Sequence, residues 1–340
     1  MKTLICLLLV LAMAGCNQPT ENPPSSSSYY DLGEAGVKSG GIKMIPIHNG
    51  KYKVWTRRVG NNPSIKVLLL HGGPAGTHEY FESFDSFFPQ EGIEYYYYDQ
   101  LGSYYSDQPA DSSLWTIERF VEEVEDVRKA LHLDNSNFYL LGSSWGGILA
   151  MEYALKYQQN LKGLIISNMM SSSPDYGQYA EEVLALQMDP KVLAEIRELE
   201  AKKDFANPRY MELLIPNYYE QHLCRFPASE WPEPVNRSFK HLNSSIYTLM
   251  QGPSEFGISG RLEKWEIKSR LPEITVPTLT IGGTHDTMDP KHMEWMSTQV
   301  QHGRYLLCPN GSHMSMWDDQ ENYFPGLIQF IKEVDKGSFK

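Results

Sequence analysis

The sequence predicts an α/β fold in which a mostly parallel sheet carries helices on both faces and an inserted helical cap. Short apolar runs, typical of buried strands, alternate with segments whose apolar residues recur at helical spacing. The alternation stops over residues 171–268, where helix-forming and aromatic-rich sequence takes over, and it resumes afterwards. One large domain with an insertion fits a chain of 340 residues better than two independent domains.

Eight strands are predicted from apolar runs and turn residues. Gly41–Arg58 alternates apolar and polar residues around Asn49-Gly50, a dipeptide that favours a hairpin, and so contains the first two strands. The other six are apolar or aromatic runs bounded by turn residues: Ile65–Leu70, Tyr95–Tyr98, Phe138–Leu141, Gly163–Ser167, Thr275–Ile281 and Arg304–Leu307.

Helices are predicted where apolar residues recur every three or four positions. Thr116–Leu131 has such a stripe and should cover the sheet, and Tyr323–Glu333 should close the chain as a helix. Within the insertion, Glu181–Lys202 is helical in composition, and prolines separate shorter pieces after it. The predicted parts are therefore a first core segment over 39–170, a helical cap over 171–268 and a second core segment over 269–340.

Ser144 lies in a sequence typical of a nucleophile elbow. The stretch from Gly142 to Gly146 has the pattern G-x-S-x-G, follows an apolar run and precedes a helix-like segment. The two glycines permit a sharp turn, and the helix N-terminus would place N–H groups and a positive dipole end beside the hydroxyl. Because the pattern also occurs by chance in Gly/Ser loops, the motif alone leaves an ordinary loop as the alternative.

Two further residues strengthen this interpretation. Asp286 and His313 each lie just past a predicted strand, in the order Ser, Asp, His that an α/β-hydrolase requires. A serine hydroxyl is a poor nucleophile at neutral pH, so a neutral imidazole has to take its proton while a buried carboxylate fixes the imidazole tautomer. Taken singly, each residue could belong to an ordinary loop. Together they predict a triad of Ser144, His313 and Asp286.

An oxyanion hole is predicted beside the serine. His71-Gly72-Gly73-Pro74 directly follows a predicted buried strand, and a Gly-Gly turn at this point lets a backbone N–H face the site. The N–H groups of Gly73 and Trp145 would receive the charge of the tetrahedral intermediate, a contribution of about 3 kcal/mol per donor. The alternative is a tight turn without a catalytic role.

Composition and charge argue against other classes of function. The net charge of −12 at pH 7 is unfavourable for nucleic-acid binding, which needs a basic face. The histidines show no H-E-x-x-H spacing and the cysteines no zinc spacing, so no metal and no cofactor is predicted. Cys224 and Cys308 are expected to be free thiols, although a disulfide between them is possible in an exported protein.

The first sixteen residues resemble a bacterial lipoprotein signal peptide. Lys2 gives a positive start, Leu4–Ala12 is too short to span a bilayer, and the small residues Ala14–Gly15 precede Cys16. The resemblance implies lipidation of Cys16, so that the protein would be an exported lipoprotein anchored to a membrane of the bacterial cell envelope. An uncleaved anchor and a simple secretory signal are the alternatives. Residues 17–38 are predicted to be a flexible linker.

Several segments together resemble the proline iminopeptidases and the closely related tricorn-interacting aminopeptidase. The matching segments are His71-Gly72-Gly73-Pro74, Tyr98-Asp99-Gln100-Leu101-Gly102, Gly142-Ser143-Ser144-Trp145-Gly146-Gly147, Asn207-Pro208-Arg209-Tyr210, Gln221-His222-Leu223, Gly252-Pro253-Ser254-Glu255-Phe256, Ser312-His313 and Met316-Trp317. They extend from about residue 40 to the C-terminus. The matches within the cap matter most, because many α/β-hydrolases share the core motifs whereas the cap sets the substrate class.

The resemblance implies how a substrate is held. In this family the glutamate of G-P-x-E-F, here Glu255, binds the free α-amino group of the peptide. A buried cation without an acidic partner would be strongly unfavourable. In the tricorn-associated member a second glutamate follows the triad aspartate and also binds the amine, but this chain has Thr287 there. Glu220 and Asp289 are the candidates to replace its charge.

The leading hypothesis is a serine aminopeptidase that releases N-terminal residues, with proline preferred, through an acyl-enzyme. Its partners would be short peptides with a free N-terminus. An ester or amide hydrolase with the same triad is the alternative, because Thr287 could leave the amine site incomplete. A tethered binding protein with an inactive hydrolase fold predicts that a triad residue or a glycine turn is missing from the sequence, and none is.

Overall fold

One mixed sheet organises the protein in the computed structural model, which describes residues 39–340. Within this range its eight strands are β1 (Ile42–Ile47), β2 (Tyr52–Val59), β3 (Lys66–Leu70), β4 (Glu94–Asp99), β5 (Phe138–Ser143), β6 (Gly163–Ser167), β7 (Thr278–Gly283) and β8 (Gly303–Cys308). Their order is β1-β2-β4-β3-β5-β6-β7-β8. β2 is antiparallel to β1 and β4, and the other neighbouring strands are parallel. The predicted fold class is confirmed.

The predictions for the N-terminal segment lie outside the described residues. They are the signal peptide over residues 1–16, the lipidation of Cys16 and the linker over residues 17–38. Within residues 39–340, every helix is too short or too polar to span a bilayer.

Ten α-helices lie in the described range: α1 (Ile117–Ala130), α2 (Trp145–Tyr157), α3 (Ser173–Tyr179), α4 (Pro190–Ala201), α5 (Pro208–Leu214), α6 (Glu233–His241), α7 (Ser244–Met250), α8 (Pro290–Gln299), α9 (Ser315–Asp318) and α10 (Gln320–Asp335). The predicted helices Thr116–Leu131 and Tyr323–Glu333 are confirmed as α1 and α10. α10 begins earlier than predicted, at Gln320, because the polar residues of its first turn give no periodic apolar signal.

The core lies on both faces of the sheet because successive residues of a strand point to opposite sides. In β3, Leu68 and Leu70 pack in the cluster that contains α1 and α2, whereas Val67 and Leu69 pack in the cluster that contains α10. A strand that is buried on both faces has a continuous apolar sequence. This explains why the central strands could be recognised as uninterrupted runs.

The segment between β6 and β7 is helical and forms the cap over the carboxyl ends of the strands. It contains α3 to α7 and has an apolar cluster of its own, which includes Leu184, Ile196, Leu213, Tyr218 and Phe256. The cap therefore has a small core that is separate from the two clusters on the sheet.

The structure divides the predicted helical segment Glu181–Lys202 in two. A π-helical turn over Ala180–Leu184 and a 3₁₀ turn over Ala185–Gln187 end before α4 begins at Pro190. Pro190 has no N–H with which to continue the preceding helix and keeps the residue before it extended. Asp189 then caps α4 by accepting hydrogen bonds from the N–H groups of its first turn.

Both cysteines of the described range are free. Cys224 and Cys308 are buried and unpaired with each other. Burial raises the pKa of each thiol well above its ordinary value. Both therefore serve as small apolar core residues rather than as reactive groups.

Candidate active site

Ser144 lies at a tight turn between β5 and α2. Its backbone angles are φ 56° and ψ −127°, a conformation that persists in a residue other than glycine only where the surroundings enforce it. The enforcing contacts are made by the backbone. The Ser144 N–H donates to the C=O of Ser167 at 3.1 Å, and the Gly147 N–H donates to the C=O of Ser144 at 2.7 Å. This is the geometry of a nucleophile elbow.

Glycine is required at positions 142 and 146 because the first turn of α2 packs against two strands. A Cβ on Gly142 would lie 1.9 Å from the carbonyl oxygen of Gly146, and a Cβ on Gly146 would lie 2.0 Å from that of Leu70, the last residue of β3. These neighbours are backbone atoms, so a side-chain rotation cannot relieve the overlap. The two glycines of the motif thus allow the helix to approach the sheet closely.

The Gly73 N–H is oriented by the carbonyl of its own peptide unit. The C=O and N–H of a trans peptide point in opposite directions. The Gly72 C=O accepts hydrogen bonds from His71 Nδ1 at 2.8 Å and from the Gly76 N–H at 3.2 Å. The Gly73 N–H therefore faces away from the His71 ring, and Gly73 lines the same cavity as Ser144.

The Trp145 N–H is oriented in the same way. The C=O of its peptide unit belongs to Ser144 and is engaged by Gly147. As the first residue of α2, Trp145 has an N–H that no carbonyl of the helix accepts. The two predicted oxyanion donors, Gly73 and Trp145, are thus placed beside the serine. In each case a hydrogen bond to the C=O of the same peptide unit fixes the direction of the N–H.

His313 and Asp286 are joined by a hydrogen bond of 2.9 Å between Nδ1 and Oδ1. The carboxylate accepts, so Nδ1 carries the proton and Nε2 keeps a lone pair. Nε2 is buried and has no hydrogen-bond partner among the described residues, so Ser144 Oγ is not bonded to it in this structure. Ser144 and His313 line the same cavity. Catalytic hydrogen bonds of this kind are often long until a substrate is bound.

Further donors fix the carboxylate of Asp286. Asn168 Nδ2 donates to Oδ2 at 2.6 Å, and the Met288 N–H donates to Oδ1 at 3.1 Å. The Thr287 hydroxyl lies 3.4 Å from Oδ1 and 3.0 Å from His313 Nδ1. The carboxylate is therefore held in one position, and it holds the imidazole in turn.

The cap supports the loop that carries His313. The C=O of His222 accepts the N–H of His313 at 3.0 Å, and the C=O of Leu223 accepts the N–H of Met314 at 2.9 Å. His222 Nδ1 donates to the C=O of His285 at 3.0 Å, in the loop that also carries the triad carboxylate. The cap is thus bound to the histidine loop by backbone hydrogen bonds and to the acid loop by a hydrogen bond from the His222 side chain.

The pKa of His313 is raised above its ordinary value. Burial alone would lower this pKa, but the hydrogen bond to Asp286 and the charges of Asp286, Glu255 and Asp318 favour the imidazolium more strongly. Burial raises the pKa of Glu255, and it raises the pKa of Asp318 to about 6. Three carboxyl groups around one base make this part of the protein a favourable place for a cation.

A cavity of about 340 Å³ lies between the cap and the carboxyl ends of the strands. Ser144, His313 and Glu255 all line it. Apolar side chains of the cap form much of the remaining wall: Phe205, Met211, Leu223, Phe239 and Leu242. The volume is at the lower end of the range for small-molecule sites, which suits the first residues of a peptide rather than an extended polypeptide.

Three tyrosines hold Glu255 at this cavity. Its Oε1 accepts a hydrogen bond from the Tyr247 hydroxyl at 2.6 Å. Its N–H donates to the Tyr219 hydroxyl at 3.1 Å, and its C=O accepts from the Tyr176 hydroxyl at 2.5 Å. The side chain remains partly accessible from the cavity, as an amine-binding carboxylate requires.

Glu220 is not brought to the cavity. Its Oε1 accepts the N–H of Ala228 at 2.7 Å and so stabilises the turn that follows. The π-helical turn over Ile215–Leu223 places Tyr219, rather than Glu220, in the cavity wall. The structure therefore gives no support to Glu220 as a second carboxylate for the amine.

Asp289 and Thr287 are also outside the cavity wall. Asp289 caps α8 by accepting the N–H of Lys291 at 2.9 Å. Thr287 is buried against the imidazole of His313. Of the carboxylates proposed for the amine from the sequence, Glu255 is the one at the cavity.

The sequence alone predicts no role for the side chain of Asn168 or for the backbone of His222. Asn168 is the first residue after β6, and its amide holds Asp286. A polar residue at the carboxyl end of a central parallel strand is the signal that could have identified it. His222 lies in a segment that resembles the family, but nothing in the sequence shows that its backbone pairs with the histidine loop.

The fold and the nucleophile elbow at Ser144 define an α/β-hydrolase. Residues 66–320 match the family model of the alpha/beta hydrolase fold. The proline iminopeptidase of Flavobacterium johnsoniae is 69% identical over 294 residues, which cover 86% of this chain and 98% of that relative. The proline iminopeptidase of Elizabethkingia meningoseptica is 67% identical over 300 residues, covering 87% of this chain and all of the relative. The chain belongs to the proline iminopeptidase family.

A solved structure agrees with this assignment. The crystal structure of the proline iminopeptidase of Mycobacterium smegmatis superimposes with a TM-score of 0.78 at 27% sequence identity. The match covers 87% of this chain and 99% of that structure. The similarity therefore includes the cap as well as the sheet.

The elbow should not tolerate a side chain at position 146. Gly146→Ala would place a Cβ 2.0 Å from the Leu70 carbonyl oxygen, so we expect a loss of about 2–3 kcal/mol in the free energy of unfolding. Gly177→Ala is the matched control, because a Cβ there meets no atom within 4 Å and the residue lies in α3. The control should be neutral or stabilised by about 0.5–1 kcal/mol. Equal stability of the two variants in urea unfolding would contradict the conclusion that glycine is required at position 146 for α2 to approach β3.

Proposed function

We propose that this chain is a serine aminopeptidase that releases the N-terminal residue, with proline preferred, from short peptides. Relatives that are 54–69% identical to it are named proline iminopeptidase. Motifs in the core and in the cap imply the same family from the sequence. The ester or amide hydrolase considered as an alternative is not favoured by these relatives.

The observation that carries the proposal is a carboxylate in the same cavity as the serine and the histidine. A free α-amino group distinguishes the first residue of a peptide from all others. Burying its positive charge is unfavourable unless an opposite charge receives it. Glu255 lines the cavity with Ser144 and His313 and supplies that charge. The pairing would also offset the unfavourable burial of the carboxylate itself.

The proposed reaction begins with proton transfer from Ser144 Oγ to His313 Nε2 as the serine attacks the first peptide carbonyl. Asp286, bonded to Nδ1, stabilises the imidazolium that forms. The N–H groups of Gly73 and Trp145 receive the negative charge that develops on the carbonyl oxygen. His313 then gives its proton to the leaving nitrogen, the C–N bond breaks and the shortened peptide departs.

The second half of the reaction releases the amino acid. A water molecule gives a proton to the imidazole and attacks the acyl-enzyme, and the serine leaves with the proton of His313. The apolar cap residues that line the cavity suit a pyrrolidine ring. The protonated nitrogen of an N-terminal proline still carries two hydrogens, which is sufficient for the single carboxylate of Glu255.

The proposal predicts that a free amine is required for turnover. We expect kcat/KM for prolyl and alanyl anilides to exceed that for their N-blocked forms by about 100-fold or more, the factor that corresponds to about 2.7 kcal/mol. Ser144→Ala should abolish acyl-enzyme formation, and any residual rate should exceed that of the uncatalysed reaction in water by no more than about 10³- to 10⁴-fold. Equal rates for free and N-blocked substrates would contradict the aminopeptidase proposal and favour an amide hydrolase.

The role of Glu255 is tested by a pair of substitutions within the cap. Glu255→Gln should lower kcat/KM for a prolyl anilide by about 100-fold or more, because the amine would be buried without a charged partner. Glu220→Gln should change it by less than about threefold, since Glu220 is bonded to Ala228 outside the cavity. An aryl ester without an amine reports whether the triad is intact. Similar losses in the two variants would contradict the role of Glu255.

The pH dependence of activity follows from the pKa of His313. Catalysis needs the neutral imidazole, so activity is lost as the pH falls through this pKa. Because the pKa is raised, the acidic limb of kcat/KM should lie above about 6.5, the ordinary histidine value. In Glu255→Gln, measured with the aryl ester, the limb should move to lower pH because one negative charge beside the imidazole is gone. A limb below 6.5, or one that Glu255→Gln leaves in place, would contradict this electrostatic account.

The N-terminal residues support a second proposal, namely export and anchoring by a lipid on Cys16. The support is the sequence alone: a positive start, a short apolar stretch and small residues before the cysteine. In a bacterial host, Cys16→Ala should shift the protein out of the membrane fraction and abolish incorporation of a labelled fatty acid. Cys6→Ala is the matched control and should change neither. An unchanged distribution of Cys16→Ala would exclude this anchor.

A further inference from the structure

We propose that Gln100 is a positioning residue that holds the two backbone segments of the oxyanion hole together. The inference rests on the proposed function only in so far as that function needs acyl transfer at Ser144. Gln100 is not a member of the triad, and it does not line the cavity.

Gln100 is placed by the order of the strands. It is the first residue after β4, which lies beside β3, and β3 lies beside β5. The segment with Gly73 follows β3, and the serine with Trp145 follows β5. Since these parallel strands end at the same edge of the sheet, the side chain of Gln100 can reach both segments.

The amide of Gln100 makes one hydrogen bond to each segment. Its Nε2 donates to the C=O of His71 at 3.0 Å, and its Oε1 accepts the indole N–H of Trp145 at 2.8 Å. The partners determine the orientation of the amide, because a carbonyl only accepts and an indole N–H only donates. All three residues are buried, so neither bond competes with solvent.

Backbone bonds extend this connection to the first oxyanion donor. The N–H of Gln100 donates to His71 Nε2 at 3.1 Å. Nε2 is therefore an acceptor, and Nδ1 carries the proton that it donates to the C=O of Gly72. Burial lowers the pKa of His71 and so favours this neutral form. The Gly72 C=O in turn orients the N–H of Gly73.

The second oxyanion donor is reached through the indole. Trp145 is the first residue of α2, and its backbone N–H is the donor beside Ser144. The hydrogen bond from the indole to Gln100 limits rotation of this residue relative to the sheet. Gln100 thus sets the separation of two N–H groups that have to face one oxygen atom within a few tenths of an ångström.

The test removes the bridge from either end. Gln100→Met keeps the length of the side chain but neither donates nor accepts strongly, and Trp145→Phe removes the indole N–H while it keeps the backbone donor. Each should lower kcat by about 10- to 100-fold with KM within about threefold, since a displaced donor weakens the transition state more than the substrate complex. The double variant should be no worse than about threefold below either single one, because both break the same connection.

Gln158→Met is the matched control. The amide of Gln158 also makes two hydrogen bonds to backbone groups, by donating to the C=O of Glu273 at 2.8 Å and accepting the N–H of Thr275 at 2.7 Å. Both partners lie in one segment, and none of the three residues lines the cavity. This variant should keep kcat within about threefold of the unmodified chain. The acidic limb of the pH profile should stay in place in all four variants, because none of the substitutions touches His313 or its partners. Thermal unfolding of each variant should give a cooperative transition, which checks that the variant is folded.

Measurement with both a prolyl anilide and an aryl ester separates this inference from the proposed function. If the unmodified chain cleaves only the ester, the aminopeptidase proposal is wrong. Cleavage of the ester still tests whether Gln100 positions the oxyanion donors. A kcat within threefold of the unmodified chain for either Gln100→Met or Trp145→Phe would overturn the inference. Additive losses in the double variant, or a shifted acidic limb, would overturn it as well. If Gln100→Met does not fold, Trp145→Phe alone decides.

Discussion

The site depends on one close contact between backbones, that of the first turn of α2 with the ends of β3 and β5. Gly142 and Gly146 allow this contact because any side chain there would overlap a carbonyl oxygen. The turn that results forces Ser144 into its unusual backbone conformation and leaves the N–H of Trp145 without a helical partner. The nucleophile and one oxyanion donor are therefore positioned by packing of the main chain, before any catalytic side chain contributes.

The second constraint is electrostatic. His313 lies among the carboxyl groups of Asp286, Glu255 and Asp318. Burial raises the pKa of Glu255 and of Asp318 and so disfavours their charged forms. Such an arrangement is tolerable where hydrogen bonds satisfy the oxygens, as Tyr247 does for Glu255. It also prepares the cavity for a positive charge. The imidazolium formed during catalysis and the amine of a peptide would both be stabilised by the same groups, so recognition and chemistry share one electrostatic field.

Local sequence predicted the parts of the site that depend on short motifs. The serine, its glycines and the strand ends before Asp286 and His313 have signals within a few residues, and the strands that are buried on both faces appear as apolar runs. The break before Pro190 is not predicted, because the helical composition on both sides of it outweighs the signal of a single proline. Glu220 was a candidate because its charge is visible in the sequence, whereas the π-helical turn that keeps it out of the cavity is not. The contacts of Thr287 with His313 and of Asn168 with Asp286 join residues that are far apart in the sequence, so only the folded structure shows them.

The hydrogen bonds from the cap to the histidine loop limit how such a protein can diversify. The C=O groups of His222 and Leu223 support the base, and they do so whatever side chains those positions carry. Exchange of a whole cap between relatives would have to re-create this backbone register, whereas replacement of a wall residue such as Met211 or Phe239 leaves it untouched. New substrate preferences should therefore arise by point substitution within an inherited cap more readily than by transfer of the cap as a module.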